Sequence, residues 1–533
     1  MSGQLSPLAG VELVVGLVVA AAALALLAER LTTPRPIVLA LGGLLLGAVW
    51  HLAPGTPDVR LVPDQVLAVF LPPVLAWAAF NVPLGAFRAN LRAIVGLAVL
   101  LVFVTMGLVA AVARALDPAV PWAAALALGA IVAPPDPVAA TSVGGQLGLR
   151  NRVVTILEGE GLVNDAVAIV AYQLAVAAVV TGSFTWGHAG VQLLRTAPLG
   201  AAVGLGVGWA SAAARRRIDD PVIDTTVSLV VPYVAYLVAE RVGGSSVLAV
   251  VALGFLLRRH ALGIGNPPTR LVSRTVWRTL NFVVTALVFL LIGVELGRTS
   301  AWGLTPATLG RGAVVSAAVV VVRLAWMHTV PRLVPAAAGP AADGEPRSTG
   351  AELTVLGWAG MRGVVSLALA LALPARTDAG AAFPARDELV LLSFVVIFVT
   401  LVGQGLTLAP LIRWLGAGDP DRSRREEAAA RQRAVDAAQG RLAELPDARA
   451  LPPEALARVR QRLARDVGLA RDREEDADAA ERGRVRRVLG QAIDAEREVV
   501  LALRDAGRVD DETARRLETE LDVDQARLGA PAR

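Results

Sequence analysis

The chain has 533 residues, of which 55% are hydrophobic, and a mean hydropathy of +0.58. A water-soluble chain of this length needs more polar cover for its cores, so the composition argues for a membrane protein. The net charge of +5 and the pI near 10.5 invite a nucleic-acid reading. Yet the basic residues, all of them arginine, sit mostly between apolar stretches or in the C-terminal part, where the positive-inside rule places them. There is no cysteine, which excludes disulfides and thiolate metal sites, and His51, His188, His260 and His328 show no ligand spacing.

Met1 to Gly10 lacks the basic region of a cleavable signal, and the apolar run at about 8–29 is long enough to cross a bilayer, so it reads as a retained helix. Twelve further apolar segments follow, at about 36–52, 61–80, 93–115, 120–143, 153–180, 187–213, 222–240, 246–258, 279–297, 308–330, 351–374 and 388–412. Arginines cluster in every second loop: Arg30 and Arg35, Arg88 and Arg92, Arg150 and Arg152, Arg215 to Arg217, then Arg258, Arg259, Arg270, Arg274 and Arg278. The other loops hold isolated ones, such as Arg60, Arg114, Arg241 and Arg298. This asymmetry predicts an N-terminus outside, a cytoplasmic C-terminus and an odd number of spans.

Composition changes after about Gly416 to Arg, Glu, Asp and Ala with few aromatics, as in Arg424 to Leu442 and Ala455 to Leu469. Two domains are predicted: a transmembrane domain over 1–415 and a charged, helical cytoplasmic tail over 416–533. Pro446 and Pro452–Pro453 would break the tail into a hairpin or coiled pair. It is a solvated appendage or a regulatory or dimer-stabilising element.

Charges inside a membrane helix are costly and usually functional. In the fifth segment Pro134, Pro135 and Pro137 surround Asp136, and each proline removes an amide donor and clashes with the preceding turn. The prediction is two half-helices joined by extended chain. The freed carbonyls, with Asp136, would form a hard-oxygen site for a small alkali cation. Asp136 can also cap a half-helix N-terminus. The sixth segment contains Leu157-Glu-Gly-Glu-Gly-Leu-Val-Asn-Asp-Ala166. Gly161 lies four residues before Asp165, on the same helix face, and leaves room for water or close helix contact. Asn164 could hold a helix break or orient a ligand, and Glu158 lies nearer the cytoplasmic end. In the twelfth segment Arg362 sits between Gly360 and Gly363. It needs an acidic partner, for which Glu160 or Glu158 is the candidate. If the seventh span is a linker, the interrupted fifth and twelfth spans correspond in two inverted repeats, a pointer to a transporter site.

These residues carry a resemblance to the monovalent cation:proton antiporter-1 family, particularly its bacterial sodium/proton exchanger-type members, through most of 10–415. Pro134-Pro-Asp-Pro137 resembles the family's Pro-Thr-Asp-Pro, and Glu158 to Asp165 its Glu-Gly-Glu-Ser-Leu-Leu-Asn-Asp. Phe289 to Glu295, Trp358 to Leu373 and Arg217-Ile-Asp-Asp-Pro221 match further blocks. The resemblance implies that Asp165 binds the cation or the proton, that Asp136 and the backbone before it contribute, and that Asn164 accompanies Asp165 in electroneutral exchange. It further implies a buried Glu160–Arg362 ion pair and a homodimer with an elevator-like movement. Gly161 stands where the family usually has Ser, Pro135 where it has Thr, and Trp77 where many relatives carry an acid.

The predicted activity is antiport without cofactor or enzymatic step: Asp165 is either ionised and holding sodium, or protonated and empty. The role is pH and cation homeostasis in a bacterial cell membrane, in contact with lipid and with no nucleic-acid partner. Potassium/proton antiport, a cation channel and a transport-dead sensor are the alternatives. An intramembrane aspartyl protease is disfavoured, because no Gly-X-Gly-Asp run surrounds either aspartate.

Overall fold

The computed structural model describes residues 7–419, except 32, 53–62, 183–185, 262–263, 265–266, 304 and 334–348, together with Gly440. Contacts divide the chain into two units, Met1–Pro420 and Asp421–Arg533. The tail helices expected at 424–442 and 455–469, apart from Gly440, lie outside the described residues, as does Arg60.

The first unit is a succession of helices. Helices α1 (Pro7–Arg30), α2 (Arg35–Leu52) and α3 (Pro63–Asn81) are followed by the short α4 (Leu84–Ala89). Helices α5 (Leu91–Val95) and α6 (Val102–Leu116) form one rod through a π-helical stretch, Gly96–Leu101. Then come α7 (Trp122–Val132), α8 (Pro137–Gln146), α9 (Asn151–Thr181), α10 (Trp186–Arg215), α11 (Pro221–Arg241) and α12 (Ser246–His260). The last are α13 (Pro267–Gly303), α14 (Pro306–Leu333), α15 (Gly350–Trp358), α16 (Val364–Leu371), α17 (Arg386–Phe398) and α18 (Gly405–Trp414). A second π-helical stretch, Val399–Gln404, joins the last two. Among the described residues the only extended pairing is an isolated bridge between Arg376 and Ala382.

Local chemistry sets several of these boundaries. Asp220 accepts the amides of Val222 and Ile223 in front of Pro221, so α11 starts with a side-chain cap and a proline that needs no donor. Thr349 and Glu352 close a reciprocal capping box on α15. Gly182, at φ +67°, ends the 31-residue α9 in the left-handed region.

Among the described residues nine helical stretches are long and apolar enough to cross a membrane, and Arg35–Val49 and Leu67–Asn81 are shorter apolar helices. Burial is distributed as a bilayer requires. Most of α7 and of α16 is buried, whereas α1, α10 and α11 present bare apolar side chains such as Val19, Trp209 and Val222. Without a hydrophobic drive between helices in lipid, close backbone contact must hold the bundle. The most extensive case is the crossing of α2 and α13. A Cβ on Gly43 or Gly47 would strike the carbonyls of Leu290 or Val294, and one on Gly293 or Gly297 those of Ala40 or Leu44. Two Gly-x3-Gly pairs therefore face each other across one seam.

Candidate functional site

The prolines act where they stand: α7 ends at Val132, a short non-helical link bends through Ala133 and Pro134 to an extended Asp136, and α8 resumes at Pro137. The twelfth segment breaks likewise, with α15 ending at Trp358 and α16 beginning at Val364. The two breaks lie against each other. The Asp136 amide donates to the Met361 carbonyl at 2.6 Å, and the Asp136 carboxylate accepts the Val138 amide at 2.9 Å and the Val364 amide as well. One carboxylate thus caps the positive N-terminal ends of two half-helices. Gly363 makes this possible, because any Cβ there would overlap Asp136 Oδ2.

The opposite half-helix ends expose carbonyls, and two buried arginines serve them. Arg362 Nε donates to the Val132 carbonyl at 2.9 Å, its Nη1 to the Gly360 carbonyl, and its backbone amide to Thr400 Oγ1 at 3.2 Å. Arg323, from α14, donates through Nε to the Leu356 carbonyl at 3.2 Å and clasps Glu160 with both terminal nitrogens, Nη2 to Oε2 at 2.8 Å. Both partners of that ion pair are almost wholly buried.

The pairing of Glu160 with Arg362 therefore needs correction: the cation in salt-bridge contact with Glu160 is Arg323. Arg362 lies inside the break, where its guanidinium reaches the carbonyls that the break released, while Arg323 approaches Glu160 from a neighbouring helix. Arg323 was legible by the same rule as Arg362, since it interrupts the apolar run Val319-Val-Val-Val322.

Next to the crossing lies a cavity of about 230 Å³ lined by Asp136, Asp165, Glu158, Pro135 and Gly161, with Ser366 from α16 and Asn281 and Thr285 from α13. Helical periodicity selects these groups from α9. Glu158, Gly161 and Asp165, at i, i+3 and i+7, share the face towards the cavity, while Glu160 and Asn164 share another. Asn164 is fully buried away from the lining and donates its Nδ2 to the Pro135 carbonyl at 3.1 Å. It clamps α9 to the break. Gly161 marks close helix contact, because a Cβ there would run into the Pro137 ring. The Asp165 carboxylate takes no hydrogen bond from a described residue. The hydroxyls of Ser366 and Thr285, both on the lining, are buried with no hydrogen-bond partner among the described residues. These two oxygens were not singled out from sequence; lone Ser and Thr in apolar helices carry little signal.

A second space adjoins the cavity. A funnel of about 980 Å³, lined by Glu29, Arg35, Arg274, Arg278 and Ser142 among others, shares Val138, Asn281 and Thr285 with the cavity. Trp77 forms part of the cavity wall, stacked on Trp277 with ring centroids 6.3 Å apart.

Broken helices crossing beside buried carboxylates, in a multi-pass helical membrane protein, are the build of a secondary ion transporter. The chain belongs to the transmembrane sodium/hydrogen exchanger family, whose model matches residues 16–414. It is 31% identical to an uncharacterized Na(+)/H(+) exchanger of Mycobacterium tuberculosis over 98% of this chain and 97% of that one. It is 32% identical to the Na(+)/H(+) antiporter ApNhaP of Aphanothece halophytica over 67% of each chain. In fold it is similar to the sodium proton antiporter MjNhaP1 of Methanocaldococcus jannaschii, with TM-score 0.56 and 19% identity over 77% of this chain and 99% of that one.

Proposed function

We propose that this protein exchanges sodium for protons, electroneutrally, through Asp165. The observation that carries the reading is an Asp165 carboxylate with no hydrogen-bond donor among the described residues, in a cavity it shares with Asp136 and Ser366 at the end of a polar funnel. Such a carboxylate holds a cation when ionised and nothing when protonated, so the two ions exclude each other and their fluxes are coupled. Asp136, with two amides on it, is the fixed anion that joins the half-helices. The cation is held by Asp165 and Asp136 with the Ser366 hydroxyl. Pro135, Asn164 and Gly161 shape the site: the carbonyl of Pro135 is held by Asn164, and Gly161 admits Pro137. Sodium is favoured over potassium by likeness to relatives such as the Na(+)/H(+) antiporter ApNhaP.

The finer architecture belongs to the same proposal. Thirteen spans in two inverted repeats place the N-terminus outside and the tail, 416–533, in the cytoplasm of a bacterial cell. The funnel then opens inwards, because its rim carries Arg35, Arg274 and Arg278. Two copies form a homodimer, and the exchange serves pH and cation homeostasis.

The test is dequenching of a pH-sensitive dye in proteoliposomes, scanned over lithium, sodium and potassium. The wild type dequenches on addition of sodium, and Asp165→Asn does not. Undiminished exchange by that variant, or a current that follows the membrane potential without counterflow, overturns the proposal.

A further inference from the structure

Among the described residues the lining of the ion cavity carries three carboxylates, Asp136, Asp165 and Glu158, and no arginine or histidine. Two of them are used in the exchange reading: Asp136 takes two amides, and Asp165 exchanges its ions. Glu158 is not. It is half-buried on α9 and forms no hydrogen bond or ion pair with any described residue. It stands two turns before Asp165 on the same helix face, about 10.5 Å along the axis at 1.5 Å per residue. Between them Gly161 adds no side chain to the lining. Along α9, Glu158 lies on the funnel side of Asp165. Helices α8 and α9 meet at the turn 147–150, so the end of α8 and the start of α9 share one end of the molecule. Ser142 and Val143, from that end of α8, line the funnel. The funnel also carries Arg35, Arg274 and Arg278 against one carboxylate, Glu29, which Arg35 holds at 2.6 Å. A cation crossing such a rim is repelled, and Glu158 is the first α9 carboxylate of the cavity beyond it.

A half-buried glutamate near a cavity mouth is ordinarily a solvated group. A second observation sets this one apart. Asn281 and Thr285, one turn apart on α13, line both the funnel and the cavity. A threonine in an apolar helix usually bonds the carbonyl of its own preceding turn, as Thr275 of the same helix does to Leu271 at 3.1 Å. The Thr285 hydroxyl does not: it is buried with no hydrogen-bond partner among the described residues. A polar group buried in that state costs stability, which points to a use outside the fold. Carboxylate, amide carbonyl and hydroxyl are the hard oxygen donors that suit an alkali cation.

We infer that Glu158, with Thr285 and Asn281, forms a staging site at which a sodium ion stops between the funnel and Asp165. An ion that sheds water on entry exchanges it there for a fixed carboxylate and two neutral oxygens. Two stations two turns apart also allow the first to hold the ion weakly, as passage demands. The use of this site in transport rests on the exchange reading; sodium binding at Glu158 stands apart from it.

The experiment has two parts. In the first, the full chain in detergent is treated with a hydrophobic carbodiimide, which attacks carboxyl groups in apolar surroundings, and the label on Glu158 is followed by mass spectrometry. Sodium chloride slows labelling of Glu158, and choline chloride at the same concentration does not. The protection persists in Asp165→Asn, and in Thr285→Val it needs about fivefold more sodium. Equal protection by choline, or protection that vanishes in Asp165→Asn, overturns the site. In the second part, exchange is measured in everted and right-side-out membrane vesicles. Glu158→Gln raises the sodium half-saturation about tenfold for sodium offered on the funnel face and does not raise it on the opposite face. Glu158→Asp recovers most of that loss. Thr285→Val keeps the side-chain shape, raises the same value about fivefold and unfolds at no lower temperature than the wild type. A merely structural Glu158 would act on both faces alike, so any rise on the opposite face, or none on the funnel face, overturns the staging site. If Glu158 takes no label, this sidedness alone decides. Undiminished exchange by Asp165→Asn sinks the exchange reading and leaves the protection result standing, whereas wild-type exchange without sodium protection of a labelled Glu158 sinks the staging site alone.

Discussion

The α2–α13 seam and the crossing of the half-helices both bring backbones into contact inside the membrane, by opposite means. At the seam the helices are continuous, their peptide groups satisfy one another, and four glycines remove the side chains that would keep the axes apart. At the crossing the helices are interrupted, and the contact is held by charge. Asp136 serves two amide ends, while Arg362 and Arg323 serve carbonyls at the other ends. A dry seam can be rigid but offers an ion nothing. A crossing exposes dipoles that must be neutralised, and that same polarity can host a cation.

The largest effect should come from splitting the charged cluster. Glu160→Gln leaves Arg323 buried without its carboxylate and should cost about 3–5 kcal/mol, read as a large fall in unfolding temperature of the full chain in detergent. Removing both charges, as Glu160→Leu with Arg323→Met, should recover most of that loss. A double variant as unstable as the single one would mean that the pair does more than compensate itself.

A smaller effect is expected at the seam. Gly293→Val forces the axes of α2 and α13 apart and should cost about 1–3 kcal/mol of stability, while the sodium half-saturation of the surviving protein stays unchanged. Gly363→Ala should lower stability by a comparable amount but also depress exchange, because the new methyl displaces Asp136. If the two variants lose the same functions, the contrast between dry seam and charged crossing is wrong.

The finest test concerns the cavity oxygens. Ser366→Ala should leave stability within about 0.5 kcal/mol and raise the sodium half-saturation about fivefold, on the scale of one neutral hydrogen-bonding group, ~1 kcal/mol. Maximal rate should hold, and Ser366→Thr should restore affinity. Lowering the pH should raise the sodium half-saturation of the wild type without lowering the rate at saturating sodium, since protons and sodium compete for one carboxylate. A falling saturated rate at constant half-saturation would refute that competition.

Much of the site was legible before any tertiary contact was known. Proline chemistry predicts the break at 134–137, and helical spacing puts Glu158, Gly161 and Asp165 on one face. The rule that singled out Arg362 applies equally to Arg323, and the Gly43–Gly47 and Gly293–Gly297 spacings were open to the Gly-x3-Gly rule, although neither was read that way. Ser366 and Thr285 were beyond reach, because an isolated hydroxyl in an apolar helix most often bonds its own preceding turn. Only the neighbouring helices show that these two do not.

By itself, the sequence determined that the chain lives in a membrane, where its helices stop and start, and which residues of α9 share a face. These are decided by composition, proline sterics and helical period, all of which act within one or two turns. The tertiary structure alone decided that Glu160 is held by Arg323, 163 residues away, that Asn164 clamps the break while Asp165 faces the cavity, and that Thr285 of α13 lines the same cavity as Glu158. Each of those depends on which helices pack side by side, and a charge costly to bury takes the nearest group that packing delivers.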